Sequence, residues 1–178
     1  NMSARMMGNA GTIPGTIKMQ YYGLGVTAAR VAVGPVKYIF LTHEDDVADA
    51  DKYAAQFGAT RIIHAGDADA VPDAEWIVDG ADGVLLADDF QAIPVPGHTA
   101  GSMALLYNEK FLFTGDHLWW NPQSRTLEAP TQRIWRPKVL MSSIETLQDC
   151  RFEWVLAGHG DRGKLSHEEM RMQIGALL

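Results

Sequence analysis

The reading of this chain turns on Val95-Pro96-Gly97-His98-Thr99-Ala100-Gly101-Ser102. The run Gln91–Val95 before it and the run Ser102–Tyr107 after it are strand-like, so Pro96 and Gly97 mark an abrupt turn with an imidazole on it. The same arrangement appears three more times. Val36-Lys37-Tyr38-Ile39-Phe40-Leu41 runs into Thr42-His43, Phe111–Thr114 into Gly115-Asp116, and Phe152–Leu156 into Gly158-His159-Gly160. Each of these polar groups sits just past an apolar run, where helix-covered sheets gather their functional side chains. Four separated strand ends that converge would assemble a metal site from distant sequence.

Between these points the chain alternates. Val47, Ala50, Ala54 and Phe57 recur at helical spacing, with Gly58 as a stop signal, and Thr60 to His64 reads as the next strand. Gly83 to Ala87 is a further candidate strand, and Ser102–Tyr107 with Phe111–Thr114 forms a hairpin around Asn108-Glu109-Lys110. Residues 117–137 hold several prolines and tryptophans and read as a long loop covering a pocket. Leu140, Ile144 and Leu147 mark an amphipathic helix, and Ser166-His167-Glu168-Glu169 has the capping-box spacing that opens a last one. Residues 1–35, broken by Gly8, Gly11, Gly15, Gly23, Gly25 and Gly34, predict short strands or irregular structure.

The blocks Pro96–Ser102, Phe113–Asp116 and Ala157–Gly160, in that order and spacing, closely resemble the metallo-β-lactamase superfamily, the glyoxalase-II-like branches especially, over roughly residues 36–163. The resemblance implies a four-layer αβ/βα sandwich, an α/β fold in one domain spanning 1–178 with an atypical segment at 1–35. It also implies that His98, Asp116 and His159 are metal ligands, with Asp116 bridging two ions. Imidazoles and carboxylates suit Zn²⁺ or a similar divalent ion, with iron and manganese as alternatives. Such an ion lowers the pKa of its water to about 7, so hydroxide becomes available to attack an ester, thioester or amide carbonyl.

The first block departs from the family pattern. Where the family has H-x-H-x-D-H, this chain reads His43-Glu44-Asp45-Asp46-Val47-Ala48. Alignment on the strand makes His43 the first histidine, and alignment on the helix makes it the second, leaving Asp45 on the family's aspartate and Asp46 in place of the last histidine. The expected metal set is therefore His43, Asp45, Asp46, His98, Asp116 and His159, with Asp45, Asp46 and Asp116 as the catalytic carboxylates. One of Asp45 and Asp46 is expected to ligate or orient the hydroxide. Either could instead cap the helix, a role worth about 1 kcal/mol.

Other polar residues have plainer readings. His64 ends a strand at a position that is not a ligand in the family and reads as structural or pocket-lining. His117, after Asp116, is expected to face the other way and to support a ligand at most. His167 reads as a solvated helix residue, and Cys150 as a small buried residue rather than a nucleophile. Trp119, Trp120 and Arg133, with Trp135 and Arg136, are candidates for substrate binding, set against core packing for the tryptophans and a surface role for the arginines.

The 178 residues, 47% apolar and 21% charged, suit one soluble domain able to bury its own core. A net charge of −7 argues against nucleic acid as a partner and leaves a small-molecule substrate. No apolar stretch is long enough for a membrane span, and no signal-peptide core follows Asn1. The single cysteine excludes an internal disulfide framework and makes a cytoplasmic setting the default.

The family normally opens with two strands carrying Asn-x-x-x and Asp-x-Gly signatures, and residues 1–35 show neither clearly. An incomplete first sheet would favour a homodimer through its open edge. The rival to a hydrolase is a catalytically degraded scaffold kept for binding or assembly. A binuclear-iron redox member is a further alternative, though such members normally pair with a flavin domain that this sequence does not contain.

Overall fold

A computed structural model describes residues 36–178. The reading of residues 1–35, with the open sheet edge and the homodimer argued from it, lies outside the described residues.

Strand β1 (Tyr38–Phe40) is followed by a 3₁₀ turn (Glu44–Asp46), helix α1 (Ala50–Phe57) and strand β2 (Thr60–His64). A second 3₁₀ turn (Ala65–Ala70) leads to β3 (Trp76–Val78). The three strands lie parallel in the order β1-β2-β3, with Phe40 opposite Ile62 and Ile62 opposite Trp76. Helix α1 is the crossover that parallel pairing of β1 and β2 requires. Its apolar stripe, Ala50 and Ala54, packs with Ile39, Leu41, Ala59, Ile63 and Val71 in one layer of core.

The larger sheet has six strands in the order β11-β10-β7-β6-β5-β4: β4 (Val84–Ala87), β5 (Phe90–Pro94), β6 (Met103–Tyr107), β7 (Phe111–Gly115), β10 (Trp154–Ala157) and β11 (Gly163–Lys164). Ala92 and Met103 from its inner face meet Ile62 and Val78 from the smaller sheet. Its outer face carries Ala104, Leu106, Leu112 and Val155 against helices α2 (Pro137–Thr146) and α3 (His167–Gly175), through Leu140, Ile144, Met170 and Ile174. The stack helix–sheet–sheet–helix is the expected four-layer sandwich. Period-2 alternation splits the strands of the larger sheet between the two cores, and the 3.6-residue stripe gives each helix only one buried face.

Ser166 caps α3 as the spacing predicted, accepting from Glu169 N–H while the Glu169 carboxylate accepts from Ser166 N–H. The region 117–137 differs from the expected long loop. It folds as a hairpin of β8 (Trp119–Asn121) and β9 (Thr126–Glu128), pinned by an Asn121 Nδ2–Glu128 Oε1 hydrogen bond of 2.6 Å. Short two-stranded ribbons rich in Trp and Pro lack the periodic signal on which strand recognition depends. Strand β3 was missed for the same reason, being three residues long between turns.

A buried arginine ties the smaller sheet together. Arg61 on β2 is 5% exposed, and its guanidinium donates to Glu75 and to both the carboxylate and the backbone carbonyl of Asp73. These bonds hold the Glu75 carboxyl down at about 2 against an ordinary 4.5. Because the folded value is depressed, this stabilisation is complete above the ordinary value and drains away as pH falls from there towards the folded value. Glu75→Gln should therefore be less stable than the wild type at near-neutral pH, with the gap closing between about 4.5 and about 2 in denaturant titrations. A gap that stays constant across that window would show that Glu75 does not contribute as an ionised partner.

Candidate metal centre

Strands β5 and β7 run in the same direction on either side of β6, and β10 pairs parallel with β7, placing Ala157 opposite Gly115. Their C-terminal ends therefore open at one edge of the larger sheet. The exit of β1 reaches the same place, because Met103 N–H donates to Thr42 O at 2.7 Å. His43, His98, Asp116 and His159 follow these four strand ends, so the strand order of the larger sheet gathers the last three and the Thr42–Met103 contact adds the first.

His43 is 1% exposed. Its Nδ1 lies 2.9 Å from Thr42 Oγ1, which leaves Nε2 turned into the site, 3.7 Å from Asp116 Oδ2 and 3.9 Å from Asp46 Oδ2. His98 Nε2 stands 3.9 Å from the same Asp116 oxygen and 3.3 Å from Asp45 Oδ2, and the His43 and His98 rings meet edge to face at 4.9 Å. His159 Nδ1 is 2.7 Å from both Asp116 oxygens, and its backbone N–H donates to Asp116 Oδ1 at 3.1 Å. Five of these residues thus form two triads of prospective ligand atoms, His43–His98–Asp116 and Asp46–Asp116–His159, each with its atoms within 4.8 Å of one another. Asp116 belongs to both. Asp45 stands over His98 on the open side, 58% exposed.

Burial pushes the His43 imidazole below its ordinary value, outweighing the nearby Asp116 and Asp46 carboxylates, so at neutral pH it is the uncharged form a cation requires. Burial likewise pushes the Asp46 carboxyl up, with His43 opposing the shift. Among the described residues, His43 Nε2 and His98 Nε2 are buried without a hydrogen-bond partner. Two such nitrogens facing a shared carboxylate would be costly in a site meant to stay empty, and they fit a divalent cation. The donor set of the two triads, three imidazoles and two carboxylates, suits zinc, iron or manganese.

The remaining candidates spread around this centre. His117 turns towards α2, its Nε2 3.4 Å from Ser143 Oγ, and burial holds its imidazole down at about 3. His64 is structural: Nδ1 accepts from Gly66 N–H and Nε2 lies 2.9 Å from Gly80 O. His167 is half-buried at the start of α3, and Cys150 is partly buried with burial pushing its thiol up. Trp119 donates from Nε1 to Glu128, and Trp120 packs against the helix-side core and pairs with Asp161 through its backbone. Arg133 is exposed, and Trp135 is exposed beneath the Arg136 guanidinium, 4.4 Å from the ring centroid. The backbones of Trp135 and Arg136 donate to His98 O and Gly97 O, so this pair edges the metal-facing loop.

Sequence reasoning missed Asp67. This buried carboxylate accepts from Thr99 Oγ1, from Gly101 N–H and from Glu44 N–H. The one available signal was an acidic residue in Ala65-Gly66-Asp67-Ala68, a segment with no strand or helix period of its own.

A four-layer sandwich whose inner sheets converge histidines and aspartates at one edge defines a class of metal-site proteins of hydrolase type. The chain belongs to the metallo-beta-lactamase superfamily, whose model matches residues 11–159. It is 27% identical over 137 residues to a hydroxyacylglutathione hydrolase of Acidiphilium cryptum (strain JF-5), an alignment covering 74% of this chain and 56% of that one. The chain spans between 36% and 56% of the length of the curated relatives it matches.

Among solved structures it resembles an archaeal metallo-beta-lactamase superfamily protein from Sulfolobus tokodaii, with a TM-score of 0.56, 19% identity, and coverage of 81% of this chain and 68% of that one. It also resembles TTHA1623 in a di-iron-bound form, with a TM-score of 0.54, 23% identity and 71% coverage of each chain. At these identities the structural likeness speaks for the fold alone. No helix among the described residues is long and apolar enough to cross a membrane.

Proposed function

We propose that this chain is a metal-dependent hydrolase of small acyl compounds, opening an ester, thioester or amide carbonyl, with zinc as its ion. The observation that carries this reading is the pair of ligand triads sharing Asp116, with the buried Nε2 atoms of His43 and His98 facing that carboxylate. Hydroxyacylglutathione, the substrate in the relatives' names, is a thioester, so thioesters head the order of testing.

A divalent ion in this site would supply a Lewis acid and a water whose pKa falls to about 7. The protein's own part is to bind and to orient. With its proton on Nδ1 and donated to Thr42 Oγ1, His43 presents the Nε2 lone pair to the site. His98, Asp116, Asp46 and His159 complete the two triads. Asp45, on the open side near His98 Nε2, is placed to take and hand on a proton at its Oδ2. Trp119, Trp135 and Arg133 are the side chains from which a substrate contact would come, whereas the core packing of Trp120 favours a structural part. The unpaired Cys150 asks for no oxidising compartment, and the proposed setting is the cytoplasm.

Metal analysis of the purified chain, then reconstitution with zinc, iron or manganese and assay against thioester, ester and amide panels, tests the proposal. The expected result is at least one bound ion and a turnover that a chelator removes and added metal restores. A chain that takes up none of the three ions, and hydrolyses nothing in their presence, would leave the degraded-scaffold reading in its place.

A further inference from the structure

We infer that Asp67 is a positioning residue for the cation site, clamping the His43–Asp46 turn and the His98 loop at a fixed separation. The inference rests on the reading of this site as a metal centre.

The two groups of ligands come from different sheets. His43, Asp45 and Asp46 follow β1, while His98 follows β5, and beyond the Met103 N–H to Thr42 O bond at their edge, loops left free would have to be organised by the cation at a cost in affinity. Asp67 removes that freedom. Its Oδ2 accepts from Glu44 N–H at 3.0 Å, which pins the first residue of the turn carrying Asp45 and Asp46. The same oxygen accepts from Thr99 Oγ1 at 2.5 Å, and Oδ1 accepts from Gly101 N–H at 2.6 Å, one residue and three residues beyond His98. Ser102 Oγ closes the network, accepting from Thr99 N–H at 3.0 Å and lying 2.7 Å from Thr99 Oγ1.

Backbone packing reinforces the clamp. A Cβ on Gly66 would stand 2.8 Å from the Ala100 carbonyl, and one on Gly101 would stand 2.5 Å from Asp67 N. The 3₁₀ turn bearing Asp67 and the loop bearing His98 therefore touch backbone to backbone, which only glycine allows at both positions. The result is visible in the first block. With Glu44 held, Asp45 comes to 3.3 Å from His98 Nε2, and Asp46 enters the triad with Asp116 and His159. A block with fewer histidines than its family pattern thus still presents two carboxylates in register.

The test is Co²⁺ affinity by chelator competition, together with the Co²⁺ visible spectrum, on the wild type, Asp67→Ala, Asp67→Asn and Thr99→Val, with Arg61→Ala as control. Arg61 is another buried charge at the centre of a hydrogen-bond network, and it makes no contact with the site, so its loss lowers stability without touching the ligands. Asp67→Ala is expected to weaken Co²⁺ binding about 10- to 100-fold and to alter the ligand-field bands, as loss of a residue supporting a ligand does. Asp67→Asn, with one acceptor oxygen for three donors, should fall between it and the wild type. Thr99→Val should show the smallest loss, and Arg61→Ala should stay within about twofold of the wild type.

Should Asp67→Ala fail to fold, Asp67→Asn and Thr99→Val decide the matter. Asp67 variants with Co²⁺ affinity and spectra indistinguishable from those of Arg61→Ala would overturn the clamp and leave the metal centre standing. A wild type that binds no Co²⁺ would overturn both.

Discussion

Replacing Asp116 by alanine is expected to abolish metal uptake at both triads and to lower the proposed hydrolytic turnover by a factor on the order of 10³ or more. The size of the effect follows from sharing. Asp116 supplies an oxygen to the His43–His98 group and to the Asp46–His159 group, so one substitution removes a ligand from each. What remains is His43 and His98 in one group and Asp46 and His159 in the other, each pair without the carboxylate that joined them, and cations bind far more weakly when a ligand and its offsetting charge are both lost. His159 also loses its own anchor, since its ring and backbone both meet this carboxylate. Asp116→Asn, which keeps the shape but loses the charge, should retain the fold and still bind metal poorly. Metal stoichiometry and kcat/KM check both variants, and an Asp116→Ala protein with a full complement of metal would remove the basis of the shared-ligand reading.

The largest expected effect on stability belongs to Gly97→Ala. Gly97 has a φ of 147°, a backbone conformation that residues with a side chain rarely adopt. A Cβ there would collide with the backbone of Leu140 in α2, lying 2.8 Å from its amide nitrogen and closer still to its Cα. Neither partner is a flexible side chain, so relief requires α2 to move away. Leu140 and Ile144 would then withdraw from Ile93, Val95, Ala104 and Leu106 in the helix-side core. Strain and lost packing together should cost about 4 kcal/mol or more, in the range that follows only from such defects. His98 is the next residue, so metal affinity should fall as well. Urea or guanidinium unfolding measures the cost, and a loss below about 1 kcal/mol would mean that the loop and helix relax more easily than their packing indicates.

The strands beside these residues were legible because their signals are local. Val36–Leu41 and Thr60–His64 are apolar runs bounded by turn residues, and the α2 stripe of Leu140 and Ile144 repeats at the helical period. The positions of the candidate ligands His43, His98, Asp116 and His159 were legible because each stands within a few residues of the end of such a run. The hairpin Trp119–Glu128 was not legible, since its strands are three residues each and their partner lies across a turn. Nor was Asp67, whose part depends on donors 23, 32 and 34 residues away in the chain.

By itself, the amino-acid order determined where strands end and which polar groups stand at those ends, because side-chain period and turn chemistry act over a few neighbouring residues. Only the tertiary structure distinguished the positions of Asp45 and Asp46. It set one over His98 on the open side and the other into the triad with Asp116 and His159. That choice depends on how a 3₁₀ turn from one sheet is held against a loop from the other, a distance fixed by hydrogen bonds and backbone packing between segments that no local pattern connects.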